Sequence, residues 1–216
     1  MQNLNLDFSE SLAIDTEKMD WIDSPAKGVM RKPLARAEEE RGHATSIVRY
    51  EAGAKFNRHL HPLGEEIFVL SGVFSDENGD YGAGSYMRNP SGTGHAPFSK
   101  QGCILFVKLH QFANKDDKQF VLDSNCDEWQ GEKGAQQRML LHQYGNEQVM
   151  LLKAVSGDAI SIPEHTGGEE IVILSGELKD ELGDYPTGTW LRRPNSHELT
   201  AVVDSLIWLK IGHFNA

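Results

Sequence analysis

The sequence predicts an all-β protein made of two tandem, related units. Hydrophobic residues make up 39% of the 216-residue chain and 21 residues are glycine, a composition that suits short strands joined by many turns. Short apolar runs bounded by turn residues predict sheet-core strands, at 67–70, 104–109, 171–174 and 206–211. A long internal repeat predicts that the two halves of the chain share one architecture.

The repeat consists of short matching segments at a constant offset. Gly-Glu-Glu-Ile-x-x-Leu-Ser-Gly occurs at 64–72 and 168–176, and Gly-Asp-Tyr occurs at 79–81 and 183–185, both offset by 104 residues. After a two-residue deletion the offset becomes 102, which aligns His95 with His197. Because a repeat of this length corresponds to one structural unit, we expect two domains, 15–112 and 113–216.

Four residues of the first repeat form a candidate metal site. His59 and His61 lie two apart, so in an extended strand their side chains share a face. Glu65 follows a turn-forming Pro-Leu-Gly segment, and His95 follows a second glycine-rich corner. Three imidazoles and one carboxylate are a suitable ligand set for a divalent transition metal. We therefore predict a metal site at His59, His61, Glu65 and His95, called the His/Glu cluster below.

The second repeat keeps only part of this pattern. The aligned residues are His165, Glu169 and His197, which we call the second-unit site. The position of His59 is taken by Pro163, which has no donor atom for a metal. Two histidines and a carboxylate predict either a weaker second metal site or a decayed one, and a decayed or weakly occupied site is favoured.

Two spaced motifs carry a resemblance to a known superfamily. They are Gly53-x5-His59-x-His61-x3-Glu65-x6-Gly72 and Gly84-x5-Pro90-x-Gly92-x2-His95. Both resemble the two motifs of the cupin superfamily, although the second motif usually ends in Asn and this chain has Ser99 there. The resemblance implies two tandem cupin barrels, each a double-stranded β-helix or jelly roll, with the metal inside one end.

A narrower resemblance is to the ChrR-like cupins. It rests on Trp-Ile-Asp-x-Pro at 21–25, Arg-Tyr-x-x-Gly at 49–53, His-x-His-x-x-Gly-Glu-Glu at 59–66 and Phe-x-Asp-Glu at 74–77. In that family the cupin follows a zinc-binding anti-sigma domain and regulates it in the response to singlet oxygen. The chain has no His-x3-Cys-x2-Cys pattern, so the resemblance does not extend to the anti-sigma domain. Other stand-alone proteins similar to these cupins cleave small oxygenated substrates with iron.

The identity of the metal separates the candidate functions. Zinc bound by the four residues gives a closed tetrahedral site, which is structural or sensory. Iron, manganese or nickel leaves two octahedral positions open for chemistry. The resemblance favours zinc and a regulatory or sensor cupin of the anti-sigma-factor family. The alternatives are a metal-dependent dioxygenase acting on a small oxygenated substrate and a non-catalytic structural bicupin.

Residues in the first part of the second motif suggest a substrate pocket. Tyr86 and Arg88 share a strand face and lie between Gly84 and Pro90. Arg88 either orients an anionic substrate near the metal or forms a structural ion pair that both repeats retain. In the enzyme interpretation, Tyr86 and Phe98 are expected to line a cavity that leads to the metal.

Composition limits the partners and the compartment. A net charge of −11 argues against nucleic acid, and no apolar run approaches the ~20 residues of a membrane span. The first ten residues lack the features of a signal peptide, and the two cysteines, Cys103 and Cys126, do not make a disulfide framework. We expect a cytoplasmic protein with a buried Cys103 thiol. The expected partners are a regulatory protein or a small-molecule ligand, with a homodimer left open.

Overall fold

The computed structural model describes residues 3–37, 42–125 and 129–214, and these residues confirm the all-β prediction. Within them the only helix is a single 3-10 turn, η1 (Thr16–Lys18). No helix in the described part of the chain is long and apolar enough to cross a membrane. Cys126 lies outside the described residues.

Nineteen strands form in the described residues. The first eleven are β1 (Leu12–Asp15), β2 (Ile22–Asp23), β3 (Val29–Arg36), β4 (Ala44–Tyr50), β5 (His59–Leu60), β6 (Glu65–Asp76), β7 (Gly79–Gly82), β8 (Ser85–Asn89), β9 (Gly94–His95), β10 (Cys103–Leu109) and β11 (Phe120–Asp123). The other eight are β12 (Gln137–Tyr144), β13 (Glu147–Ala154), β14 (Glu169–Ser175), β15 (Glu177–Lys179), β16 (Asp184–Pro186), β17 (Thr189–Arg193), β18 (Thr200–Ala201) and β19 (Ser205–Ile211). All pairings between them are antiparallel.

The first unit contains one large sheet and one small one. Strands of the large sheet follow the order β11-β8-β6-β10-β4-β3-β2, and β7 pairs with the second half of β6. The small sheet is β5 with β9. Because β6 pairs with β8 on one side and with β10 on the other, it holds Glu65 at a central position of the large sheet.

The second unit repeats this arrangement with fewer strands. Its larger sheet has the order β1-β17-β14-β19-β13-β12, and a smaller sheet has the order β16-β15-β18. β14 corresponds to the first half of β6, and it again lies between two partners, β17 and β19. In the described residues no strand pair corresponds to β5 with β9, which removes part of the framework of the metal site.

The compact units do not coincide with the sequence repeats. Residues 7–18 belong to the second unit, where β1 pairs with β17, and residues 113–125 belong to the first, where β11 pairs with β8. The expected boundaries, 15–112 and 113–216, therefore follow the repeated sequence but miss one strand of each unit. Any segment that can cover an exposed sheet edge can supply such a strand, so local sequence does not specify its owner.

Each unit has its own apolar core built from alternating strand residues. The core of the first unit includes Val48, Ile67, Val69, Phe74, Met87, Cys103, Leu105 and Val107. The core of the second includes Met150, Leu152, Ile171, Ile173, Leu178, Leu191, Ile207 and Leu209. Cys103 is buried as expected, and burial raises the pKa of its thiol.

Steric constraints explain why the repeated segment ends in glycine in both units. Gly72 has φ +74°, and a Cβ on it would lie 2.1 Å from the carbonyl oxygen of Gly102. Its repeat partner Gly176 has φ +90°, and a Cβ there would lie 2.2 Å from Oγ of Ser205. Both positions therefore need the left-handed backbone and the missing side chain of glycine, where the strand bends toward its neighbour.

Candidate metal centre

The His/Glu cluster comes together at one end of the first unit. His59 on β5 stands opposite His95 on β9, and His61 follows β5 directly. Glu65 opens β6 and shares a face with the core residues Ile67 and Val69, because alternate strand residues point the same way. One ligand atom from each of the four residues lies within 4.8 Å of the others.

Hydrogen bonds at Nδ1 determine which ring nitrogen of His59 and His61 is available. Nδ1 of His59 lies 3.0 Å from the carbonyl oxygen of Asn57, which can only accept, so Nδ1 carries the proton. Nδ1 of His61 lies 3.0 Å from Oγ1 of Thr93. The Thr93 hydroxyl donates to the carbonyl of Pro90 at 2.7 Å, so it accepts from His61. Both neutral rings therefore present an unprotonated Nε2.

His95 is held in the same tautomer by a carboxylate. Its Nδ1 lies 3.3 Å from Oδ2 of Asp76. The other carboxylate oxygen, Oδ1, accepts from the Asn78 backbone N–H at 2.7 Å and from the Tyr81 hydroxyl at 3.1 Å, which fixes the Asp76 side chain. Partners of this kind orient metal-binding histidines and make them better donors.

The available nitrogens converge on Glu65. Its Oε2 lies 3.1 Å from Nε2 of His61 and 3.3 Å from Nε2 of His95. With both Nδ1 atoms protonated, these contacts bring lone pairs together and are unfavourable unless a cation or a proton lies between them. Nε2 of His61 is buried and has no hydrogen-bond partner among the described residues. The residues present therefore fit a divalent metal ion.

Burial of the His/Glu cluster also shifts the pKa values of its members. Burial raises the pKa of Glu65 to about 7, with the hydrogen bond from Asn89 opposing and the Asp76 charge adding to the shift. Burial, followed by the neighbouring His95 and His59, lowers the pKa of His61 to about 3. Burial also lowers the pKa of His95. Without a metal, Glu65 therefore takes up a proton at a higher pH than an ordinary glutamate, whereas His61 stays neutral.

Sequence reasoning missed the side chains that support the cluster. Asn89 lies opposite Glu65 in the β6–β8 register and donates to its Oε2 at 3.2 Å. Gln119 in turn donates to Oδ1 of Asn89 at 3.4 Å. Asn89 could have been found from strand alternation, because it is two residues from the core residue Met87. Asp76 and Thr93 stand in the segments that carry the resemblance, but their contacts with His95 and His61 depend on strand pairing.

The substrate-orienting role for Arg88 is not supported. Arg88 is fully buried and its Nη2 donates to Asp116, while its Nη1 lies 3.7 Å from Oε1 of Glu66. The Tyr86 hydroxyl donates to the same Glu66 oxygen at 2.6 Å. Because Glu66 follows Glu65 on one strand, these side chains occupy the opposite face of the sheet from the His/Glu cluster. The structural ion pair is the correct interpretation, and Tyr86 does not line the site.

The second-unit site is only partly assembled. Nε2 of His165 lies 3.7 Å from Oε2 of Glu169, and Nδ1 of His165 bonds to the carbonyl of Pro163 at 2.9 Å. His197 does not join them within the ligand spacing that the first cluster shows. The loop before His197 is two residues shorter than its counterpart before His95, and no strand equivalent to β9 forms there in the described residues. The main chain of His197 still donates a hydrogen bond to Glu169, so the shortened loop keeps this residue nearby while its ring does not join the other two ligands.

Comparison with known proteins places the fold. A family model, the ChrR cupin-like domain, matches the chain twice, over residues 9–113 and 117–215. Among curated proteins, none matches this sequence.

Several solved structures resemble the whole chain. One is a candidate dioxygenase from Nostoc punctiforme, with 15% identity, 96% of this chain and 85% of that chain covered, and a TM-score of 0.76. Another is a bacterial pirin from Escherichia coli in complex with nickel(II), with 14% identity, coverage of 94% and 99%, and a TM-score of 0.69. At these identities the likeness establishes the two-domain fold.

Proposed function

Because this chain belongs to the family of ChrR cupin-like domains and contains two copies of that domain, we propose that the N-terminal copy is a metal-dependent oxygenase centre. In this proposal the His/Glu cluster holds one divalent transition metal, and a small oxygenated molecule is oxidised there. The main support for this proposal is the position of the histidine nitrogens. Nε2 of His61 and Nε2 of His95 lie beside Glu65, while Nδ1 of each of the three histidines bonds to another group.

The ligand chemistry supports iron, manganese or nickel. Imidazole and carboxylate ligands without thiolate suit these metals, and four protein ligands do not complete an octahedron. A bound ion of this kind would supply Lewis-acid and redox chemistry at the cluster. His59 is the one ligand of the cluster that is partly exposed, so in this proposal a substrate would approach from its side.

The protein's own residues would prepare the site. Asp76 and Thr93 keep His95 and His61 in the tautomer that leaves Nε2 free. Asn89 holds one oxygen of Glu65 in place. Because these partners are themselves hydrogen-bonded, the ligand positions are set before a metal enters, which lowers the cost of binding. The solved structures with a similar fold include a candidate dioxygenase and a nickel-bound pirin, and both support the proposal of a metal-dependent centre.

A regulatory role is the second candidate, and the family match favours it. In that role the four residues would bind zinc in a closed tetrahedral site, and metal or ligand state would be transmitted to a protein partner. The two candidates differ in coordination number. Cobalt(II) substitution distinguishes them, because four-coordinate cobalt absorbs visible light strongly and six-coordinate cobalt absorbs it weakly.

The deciding experiment combines cobalt spectroscopy with oxygen uptake. Protein loaded anaerobically with iron(II) is exposed to O2 together with small diketones and hydroxy-ketones. We expect oxygen consumption that is lost in His61→Ala and kept in His165→Ala, with a weak cobalt spectrum. Strong four-coordinate cobalt absorption without oxygen consumption would reject the oxygenase and favour the regulatory role.

A further inference from the structure

The second unit contains a buried arginine where the first has an asparagine. At the 104-residue offset of the repeat, Arg193 aligns with Asn89. The Arg193 side chain is 3% exposed; its Nη2 donates to Asp180, and its Nη1 lies 3.9 Å from Oε1 of Glu169. We infer that the Arg193 guanidinium takes the place of a metal ion in this unit, which therefore binds no divalent metal.

The change of partner at one aspartate supports this inference. Asp76 of the first unit aligns with Asp180 of the second. In both units Oδ1 accepts from the tyrosine five residues later, at 3.1 and 2.8 Å, so the setting of the carboxylate is retained. Oδ2 faces a histidine that is a candidate ligand, His95, in the first unit and Arg193 in the second. The carboxylate that would orient a metal ligand instead binds an internal cation.

Charge balance gives the physical reason. The side chains of Glu169 and Asp180 are 0% and 2% exposed, and buried carboxylates require a compensating positive charge. A guanidinium remains protonated in proteins, so Arg193 supplies a permanent charge. It bonds Asp180 directly, whereas Oε1 of Glu169 lies 3.9 Å from Nη1 without a hydrogen-bond partner among the described residues, and burial raises the pKa of Glu169. The other Glu169 oxygen, Oε2, accepts from the Ser196 hydroxyl at 3.1 Å. A divalent ion entering beside Arg193 would meet a like charge at short range.

An open cavity lies beside the second-unit site. A cavity of about 740 Å³ is lined by Gln148, Ile162, Pro163, His165 and Ser196 among others. It is lined in part by His165, although Nε2 of His165 and the Glu169 side chain are themselves buried. Exclusion follows instead from the resident cation, because removing Arg193 would leave His165, Glu169 and Asp180 as possible donors even though Pro163 replaces one ligand.

The first test counts bound nickel(II) in the full-length chain. The variant His61→Ala removes a ligand of the His/Glu cluster and leaves the second unit intact. We expect it to retain no tightly bound nickel. Retention of one equivalent that is lost on adding His165→Ala would overturn the inference. The proposed function has a different failure, namely a wild-type protein that binds no nickel at all.

The second test removes the internal cation. In the His61→Ala background, Arg193→Met should lower the folding equilibrium constant by about a hundredfold or more, because buried carboxylates lose their partner. Nickel should then raise the unfolding midpoint of this double variant but leave that of His61→Ala unchanged. Arg138→Met, at an exposed arginine of the same unit, is the matched control and should change neither quantity. The same nickel response with and without Arg193 would overturn the inference, and if the double variant does not fold, the nickel count decides.

Discussion

Oγ1 of Thr93 lies 3.0 Å from Nδ1 of His61 and determines which ring nitrogen faces the site. The Thr93 proton is already donated to a backbone carbonyl, so the hydroxyl can only accept from the imidazole. The buried Nε2 of His61 is left with a lone pair directed at Glu65. A residue outside the recognised ligand pattern thus controls a ligand of the His/Glu cluster.

Replacing Thr93 by valine should weaken metal binding while preserving side-chain volume. The His61 ring loses its Nδ1 acceptor, so its tautomer and orientation are no longer held. We expect about a tenfold rise in the nickel dissociation constant, the lower end for loss of a supporting partner. Titration calorimetry measures the change. Thr166→Val, on an exposed threonine beside His165, is the control and should leave the constant unchanged; equal effects would contradict the role of Thr93.

Glu65→Gln should stabilise the metal-free protein at alkaline pH. The folded pKa of Glu65 is raised from 4.5 to about 7, so its contribution to stability is full below the unfolded pKa of 4.5 and is lost as pH rises toward 7. At pH 8 the ionised, buried carboxylate therefore costs on the order of 3 kcal/mol, at 1.36 kcal/mol per pKa unit. Denaturant unfolding with chelator should show Gln more stable at pH 8 and no such gain at pH 4.

Two comparisons serve as controls for the Glu65→Gln variant. With nickel bound, the order should reverse, because glutamine cannot supply the anionic ligand. Glu164→Gln, at an exposed glutamate, should show neither effect. If Glu65→Gln is less stable than wild type in chelator at pH 8, then burial of the ionised Glu65 carboxylate does not destabilise the protein.

Metal binding should release a proton from Glu65 rather than from His61. Burial lowers the pKa of His61 to about 3, so this ring is already neutral at pH 6, whereas Glu65 with a pKa of about 7 is mostly protonated. Calorimetry at pH 6 in buffers of different ionisation enthalpy should report about one proton released per nickel ion. The stabilisation by metal should shrink as pH falls below 7. Proton release unchanged in Glu65→Gln would assign the proton elsewhere.

Arg88→Met should reduce stability without altering metal affinity. The variant takes the Arg88 charge away from the buried Asp116 and Glu66 carboxylates, which costs about 3–5 kcal/mol. Denaturant unfolding and nickel titration together separate the two quantities. Arg58→Met removes the exposed pair with Glu77 and should cost at most about 1 kcal/mol. A large loss of nickel affinity in Arg88→Met would revive a role near the metal.

Gly72→Ala should destabilise the first unit by about 2 kcal/mol or more, from a left-handed backbone and a clash with Gly102. Gly82→Ala is the control, because a Cβ at Gly82 meets nothing within 4 Å. The two unfolding midpoints provide the measurement. Similar midpoints for both variants would show that the strand relaxes around the added methyl group.

Local spacing was sufficient to predict the fold class, the duplication and the four residues that the first unit brings together. His59 and His61 share a face because strand side chains alternate, and the repeat offset aligns Pro163 with His59. Such relations depend on residues close in sequence or on direct identity between repeats. They are therefore visible without knowing which strands pair.

Only the tertiary structure decided what surrounds those residues. Thr93 and Asp76 contact their histidines across strand connections, and Arg88 lies on the face of the sheet opposite the His/Glu cluster. Strand register and strand face determine both kinds of contact. The sequence shows that Arg193 replaces an asparagine of the first unit. That Arg193 acts as an internal cation depends on its guanidinium contacting Asp180, which only the structure shows. Likewise, β1 belongs to the second unit because edge pairing does not follow chain order. Side-chain direction and long-range pairing arise from packing of the whole unit, which local sequence patterns do not encode.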